Sequence, residues 1–264
     1  MCPARCTSSV ATPFFLFFFF ILGAIVASFV GVVSVRLNTS ESIARGRSRC
    51  DACGAPLTSI DLVPIISYAV FGGRARCCRA RISLFSPLSE VVLGALFALS
   101  YATFGLVPAL VPLLGAIALL MLLVLYDLAH MILPPVPLAL FVLASGLFAW
   151  LVAPTAESFF IVVGLAFVLG AFIWLLHVLS RGRAMGFADA PLTLGLALLA
   201  GPSALAGFVY AFWIGAVLGI VLLVQRPRGS RMGVEVPFAP YLAAGFLLAL
   251  FTPWNPFALI QALL

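Results

Sequence analysis

The chain holds eight acidic residues, and most of them lie in loops or beside arginines. Asp127 and Asp189 do not. Asp127 closes the apolar run Leu119 to Tyr126, and Asp189 follows Met185-Gly186-Phe187-Ala188 and opens another apolar run. An acid at the centre of a bilayer costs roughly 2.5–3.5 kcal/mol on insertion scales, so ionisable residues in such segments are functional candidates. Two carboxylates sharing a site cannot both ionise easily, and one proton is held between them. One acid can then protonate a carbonyl while the other activates water, which is the chemistry of an aspartic protease. Plainer roles compete with this one. Asp189-Ala190-Pro191 suits a helix N-cap. Asp127 can pair with His130 one turn along or anchor at the membrane interface. His177, near the end of an apolar run, reads as an interfacial anchor.

The cysteines are the second chemical signal. Of six, Cys50 and Cys53 form a Cys-x-x-Cys-Gly turn, half of a zinc site, because thiolates at this spacing reach one tetrahedral ion. Cys77 and Cys78 are the candidates for the other half. Neighbouring arginines favour thiolates. A reducing compartment favours metal over disulfide. The expected zinc is structural, tying together a loop too small to fold on its own core. Cys2 and Cys6 are close enough in sequence for a disulfide.

These groups need elements to hold them, and composition says what kind. Hydrophobic residues make up 64% of the 264 positions and charged residues 8%, where a soluble domain carries roughly 25% charged. A water-soluble surface, a disordered chain and a nucleic-acid binder are all excluded. Apolar runs fall at 12–35, 86–104, 106–126, 136–153, 157–178, 190–205, 207–225 and 237–255. At about 20 residues per crossing they predict an all-α, polytopic protein of about eight transmembrane helices in a lipid bilayer. Gly201-Pro202-Ser203 predicts the break between the sixth and seventh runs. The parts are a first helix within 1–35, a Cys- and Arg-rich loop over 36–85, and a seven-helix region over 86–264.

All 14 basic residues are arginine. With eight helices, the groups at 36–81, Arg181/Arg183 and Arg226/Arg228/Arg231 share one face. The positive-inside rule makes that face cytoplasmic, in the cell's inner (plasma) membrane, with both termini outside. A signal peptide over the first run is the weaker alternative, since one Arg precedes it and eight follow.

In order and spacing, the residues resemble the type IV prepilin peptidase family, membrane aspartic proteases of the GxGD type. The resemblance runs over most of the chain. It is carried by Tyr126-Asp127 with Ile132-Leu133-Pro134-Pro135, and by Gly186-Phe187-Ala188-Asp189. Further pieces are Cys50-Asp51-Ala52-Cys53-Gly54, Asp61 to Ser67, Ile82-Ser83, Pro87-Leu88-Ser89-Glu90, and Val236 to Pro240. It implies that Asp127 and Asp189 are the catalytic pair. The implied substrates are prepilins or pseudopilins with a basic leader before a hydrophobic helix, cut at the cytoplasmic face. It also implies methylation of the new N-terminus from S-adenosylmethionine. It puts the fourth cysteine of the loop at Cys78 and the third at Ala75, so Cys77 must substitute from next door.

The sequence departs from the family pattern at several positions. Ala188 replaces the second glycine of GxGD, where a methyl disfavours positive φ. Pro135 replaces an acid, and no lysine follows Asp189 two residues on. The first run lacks the family's glycine and asparagine around Ser28. Two other classes stay open: a transporter using the acids as proton relays, and a non-catalytic relative acting in pilus or secretion assembly.

Overall fold

The computed structural model describes residues 11–37, 50, 52–56, 58, 61, 63–183, 185–225, 237–253 and 256. Cys2, Cys6, Arg45, Arg47, Arg49, the arginines at 226–231 and Trp254 lie outside these residues, and with them the Cys2–Cys6 pairing. Among the described residues the regular elements are helices, with an isolated bridge between Arg74 and Arg81. The elements are α1 (Ala11–Arg36), α2 (Ile66–Val70), α3 (Phe85–Phe104), α4 (Leu110–His130), α5 (Pro135–Val152), α6 (Ala156–Ser180), α7 (Asp189–Ala200), α8 (Ala204–Gln225) and α9 (Ala239–Phe251). Each of the eight apolar runs is represented by a helix. Six stretches are long and apolar enough to cross a membrane, counting Asp189–Val221 as one. The protein is a multi-pass membrane protein. Its large exposed side chains are apolar, for example Phe14, Phe17, Val111, Leu143 and Val224. This is the surface lipid covers.

The break at Gly201-Pro202-Ser203 is real. Those residues form a 3-10 turn, and Gly201 takes φ +59, a conformation glycine adopts without strain. The turn leaves α7 with 12 residues, about 18 Å of helix, short of the ~30 Å hydrocarbon layer. α7 compensates by burial: Leu192, Thr193, Leu196 and Ala197 are wholly inside.

The chain divides into two compact units, residues 1–110 and 111–264. In the first, α1 and α3 cross at two glycines. A Cβ on Gly23 would lie 2.6 Å from the Leu93 carbonyl oxygen, and one on Gly94 would lie 2.8 Å from that of Phe20. Backbones that close exchange dispersion contacts only a small residue permits. Phe19 stacks on Tyr101 beside the crossing, at 5.0 Å between centroids. Buried Glu90 on α3 accepts the Ile65 amide at 2.8 Å, and Ile65 has φ +62. Left-handed backbone is costly for a β-branched residue; the carboxylate holds the turn that starts α2.

In the second unit, α7 packs against α5, α6, α8 and α9, and α8 lies along α9. The α8–α9 seam is another glycine crossing. A Cβ on Gly207 would meet Phe246 Cα at 2.9 Å, and one on Gly245 would collide with the Ala211 backbone. Gly195 makes room for the Phe141 ring of α5, whereas Gly164 faces open space.

Gly94→Val is therefore expected to destabilise the first unit by about 1–3 kcal/mol through overpacking. Gly164→Ala should be neutral. Thermal midpoints in detergent decide; equal midpoints for the two variants would refute the close-crossing argument.

Candidate functional site

Each of the two acids sits beside the start of a helix. Asp127 lies in the last turn of α4 with only 7% of its surface exposed. The backbone N–H of Ala239, the first residue of α9, faces the Asp127 carboxylate closely enough to interact with it. That amide is one of the donors a helix start leaves unpaired. One carboxylate oxygen, Asp127 Oδ2, is buried and finds no hydrogen-bond partner among the described residues. The pairing with His130 does not form. His130 instead stacks on Tyr126 at 4.3 Å, and its Nδ1 lies 3.3 Å from the Tyr126 carbonyl oxygen. α4 stops just beyond, where Met131 turns left-handed at φ +55.

Asp189 is the first residue of α7 and is 8% exposed. The helix-cap reading fails in detail, since the side chain does not reach forward to the first-turn amides. It turns back, and Oδ2 accepts the Gly186 N–H at 3.0 Å. A Cβ on Gly186 would stand 3.4 Å from that oxygen, an ordinary van der Waals contact. The Asp189 carbonyl oxygen accepts the buried Thr193 hydroxyl at 2.7 Å. The two carboxyl groups lie within electrostatic reach of each other. They come from elements separated by α5 and α6, and the end of α4 and the starts of α7 and α9 meet at one end of the second unit.

The departures around the acids are benign in backbone terms. Ala188 sits at φ −72, ψ −14, ordinary helical space, so this turn never needs a second glycine. Pro135 takes the first position of α5, where a missing N–H costs nothing. Between α5 and the Asp189 turn runs an apolar cavity of about 340 Å³, lined by Leu133, Pro135, Leu138, Val142, Phe187 and Pro191 among others.

The cysteines form a separate centre in the first unit. The sulfurs of Cys50, Cys53, Cys77 and Cys78 all lie within 4.8 Å of one another. Separations are 3.2 Å for Cys53–Cys77, 3.7 Å for Cys50–Cys78 and 3.9 Å for Cys77–Cys78. A tetrahedron of 2.3 Å Zn–S bonds has sulfur–sulfur edges of about 3.8 Å, so the donor set fits zinc. The Cys53 and Ala52 amides and the other thiols draw the Cys50 thiol down to about 7 against its desolvation. Sharing with Cys53 and Cys50 pushes Cys77 up to about 12. Metal binding would replace this shared proton network and release its protons.

Two backbone turns of identical construction hold the sulfurs. In the first, the Cys50 N–H reaches the Ala55 carbonyl at 2.9 Å and the Gly54 N–H returns to Cys50 at 2.8 Å. In the second, the Ala75 N–H reaches Ala80 at 2.9 Å and the Arg79 N–H returns to Ala75 at 2.8 Å. Gly54 and Arg79 take φ +71 and +56 at matching positions. Cys53 thus corresponds to Cys78, and Cys50 to Ala75. Cys77 brings its sulfur into the cluster from a position that is Ala52 in the first turn. Beside them, the Thr58 hydroxyl and amide hold the Asp61 carboxyl below its ordinary range, helped by Arg76 at 3.6 Å.

Sequence reasoning missed three of these partners: the amides of Ala239 and Gly186, and the Glu90 bond to Ile65. Backbone donors leave no signature in side-chain type. The only available signal was that each lies inside a segment of the prepilin-peptidase resemblance.

Comparison with known proteins identifies the family. A family model described as Bacterial Peptidase A24 N-terminal domain matches residues 21–104. The chain is 32% identical over 237 residues to the prepilin leader peptidase/N-methyltransferase of Bacillus subtilis, covering 87% of this chain and 91% of that one. A protein of the same name from Myxococcus xanthus is 34% identical over 226 residues, 83% of this chain and 66% of that one. Another, from Pseudomonas aeruginosa, is 28% identical over 257 residues, 87% and 88% of the two chains. No solved structure matches.

Proposed function

The chain belongs to the prepilin leader peptidase/N-methyltransferase family, and on that premise we propose that it is a membrane aspartic endopeptidase acting on prepilins or pseudopilins, with Asp127 and Asp189 as its catalytic pair. One observation carries the reading. Two acids distant in sequence come within electrostatic reach at one end of an apolar helix unit, Asp189 tethered by the Gly186 amide and Asp127 facing the Ala239 amide. Asp127 Oδ2, buried and without a partner among the described residues, has its hydrogen-bonding capacity left for a water or a scissile carbonyl.

In this mechanism the protonated acid donates to the scissile carbonyl oxygen while the ionised one takes a proton from water. The water oxygen bonds to the carbonyl carbon, the tetrahedral adduct collapses, and the C–N bond breaks with a proton passing to the leaving amine. The surrounding apolar walls exclude bulk water and strengthen these interactions. The positive-inside rule supports placing this end at the cytoplasmic face of the inner membrane, where a basic leader would meet it. The substrate's hydrophobic segment would stay in lipid beside the unit. Methylation of the freed amine, the second activity in the relatives' name, would draw on S-adenosylmethionine; no residue here is assigned to it. Zinc, held by Cys50, Cys53, Cys77 and Cys78, would act structurally, cross-linking the loop between α1 and α3.

Asp127→Asn and Asp189→Asn should each lower prepilin cleavage by roughly 10²–10⁴-fold or more, with the protein still folded in the membrane. Full cleavage by either variant would remove that acid from the mechanism. Mass spectrometry of the product's N-terminus reads the methyl group in the same assay.

The loop gives its own forecast. Reduced, purified protein should contain about one zinc per chain, and Cys77→Ser should lose most of it. Because Ala75 occupies the place of Cys50 in the second turn, adding Ala75→Cys to Cys77→Ser should restore the metal. Elemental analysis of the three proteins is the check. Absence of zinc from the unaltered chain rules out the centre, and no recovery in the double variant rules out the equivalence of the turns.

A further inference from the structure

A single peptide group separates His177 from Asp189. The Met185 carbonyl oxygen lies 2.8 Å from His177 Nδ1. A carbonyl can only accept, so Nδ1 carries the proton. The N–H at the other end of that same peptide, on Gly186, donates to Asp189 Oδ2 at 3.0 Å. The peptide unit is planar, so fixing its oxygen also fixes the direction of its N–H. A hydrogen bond at the oxygen further polarises the group and strengthens the N–H as a donor.

The imidazole is itself held. His177 stands in the last turn of α6, and its carbonyl oxygen accepts the Gly182 N–H at 2.9 Å and the Ser180 hydroxyl at 3.2 Å. Arg181 at φ +53 and Gly182 at φ +76 reverse the chain immediately after the helix. The ring packs against Gly182, where a Cβ would stand 3.4 Å from its Cε1. Its other neighbour is the Phe187 ring, edge-on at 5.9 Å. His177 also lies within electrostatic reach of Asp189.

We propose that His177 is a positioning residue for Asp189, acting through the Met185–Gly186 peptide group. It sets the orientation of the Gly186 amide that holds the Asp189 carboxylate. The inference rests on the catalytic reading of Asp189.

The test uses the full-length protein with a prepilin substrate, and Asp189→Asn in parallel. His177→Leu should lower kcat roughly 10–100-fold, the scale of a small misplacement of a reacting group, with KM within about twofold. His177→Asn, whose Nδ2 overlays Nδ1, should recover most of kcat. His177→Gln, whose amide extends toward the Nε2 position, should not; this pair keeps the comparison valid where the Leu variant fails to accumulate. Equal kcat for the Asn and Gln variants, or a loss confined to KM, overturns the proposal. An inactive Asp189→Asn beside a fully active His177→Leu discards the positioning role alone. A fully active Asp189→Asn discards the catalytic assignment itself.

Discussion

A carboxylate inside an apolar helix unit must find donors, and here the donors come from the backbone. Asp189 accepts the amide of Gly186, and the amide of Ala239 faces Asp127. No lysine exists in the chain, and no arginine pairs with either acid among the described residues. An ion pair would hold both acids firmly in the charged state. A single neutral amide supports a carboxylate and still tolerates the protonated form. The architecture around the acids follows from this. α4 must end beside the start of α9, where a helix leaves its first N–H groups unpaired, and the loop before α7 must bring the Gly186 amide to Asp189.

That requirement explains why α7 is short and buried. A helix that began at the same end but crossed the membrane unbroken would have its Asp189 turn set by the position of its far end. The Gly201-Pro202-Ser203 turn releases it. α7 is then located by side-chain packing on all sides, with Leu192, Leu196 and Thr193 fully enclosed. Glycines do the remaining fitting: Gly195 admits Phe141, and Gly207 and Gly245 let α8 and α9 close on each other. Close packing sets where these helices lie, and the backbone hydrogen bond from Gly186 then orients the Asp189 carboxylate.

The cysteine centre solves a different problem in the other unit. Among its described residues, the segment before α3 has one five-residue helix and few buried apolar side chains, too little to specify a fold by burial. Two repeated backbone turns present four sulfurs at tetrahedral spacing instead. The substitution of Ala75 leaves the second turn's hydrogen bonds intact, since they are backbone to backbone and independent of side chain. The sulfur can therefore move to Cys77 while the turn stays the same.

The sequence alone carried the membrane class, the helical runs, the Gly201-Pro202 break, the two acids and the four cysteines. Each is written in composition, periodicity or residue type, which are local quantities. Tertiary structure decided what no local quantity encodes. It put Ala239 against Asp127, turned Asp189 back to Gly186 instead of forward into its own helix, and freed Asp127 from His130. It showed that Ala188 and Pro135 fit without strain, because the backbone at those positions is ordinary helical space. It linked His177 to the site through one peptide. All of these are contacts of main-chain groups, which every residue carries alike, so only the path of the folded chain distinguishes them.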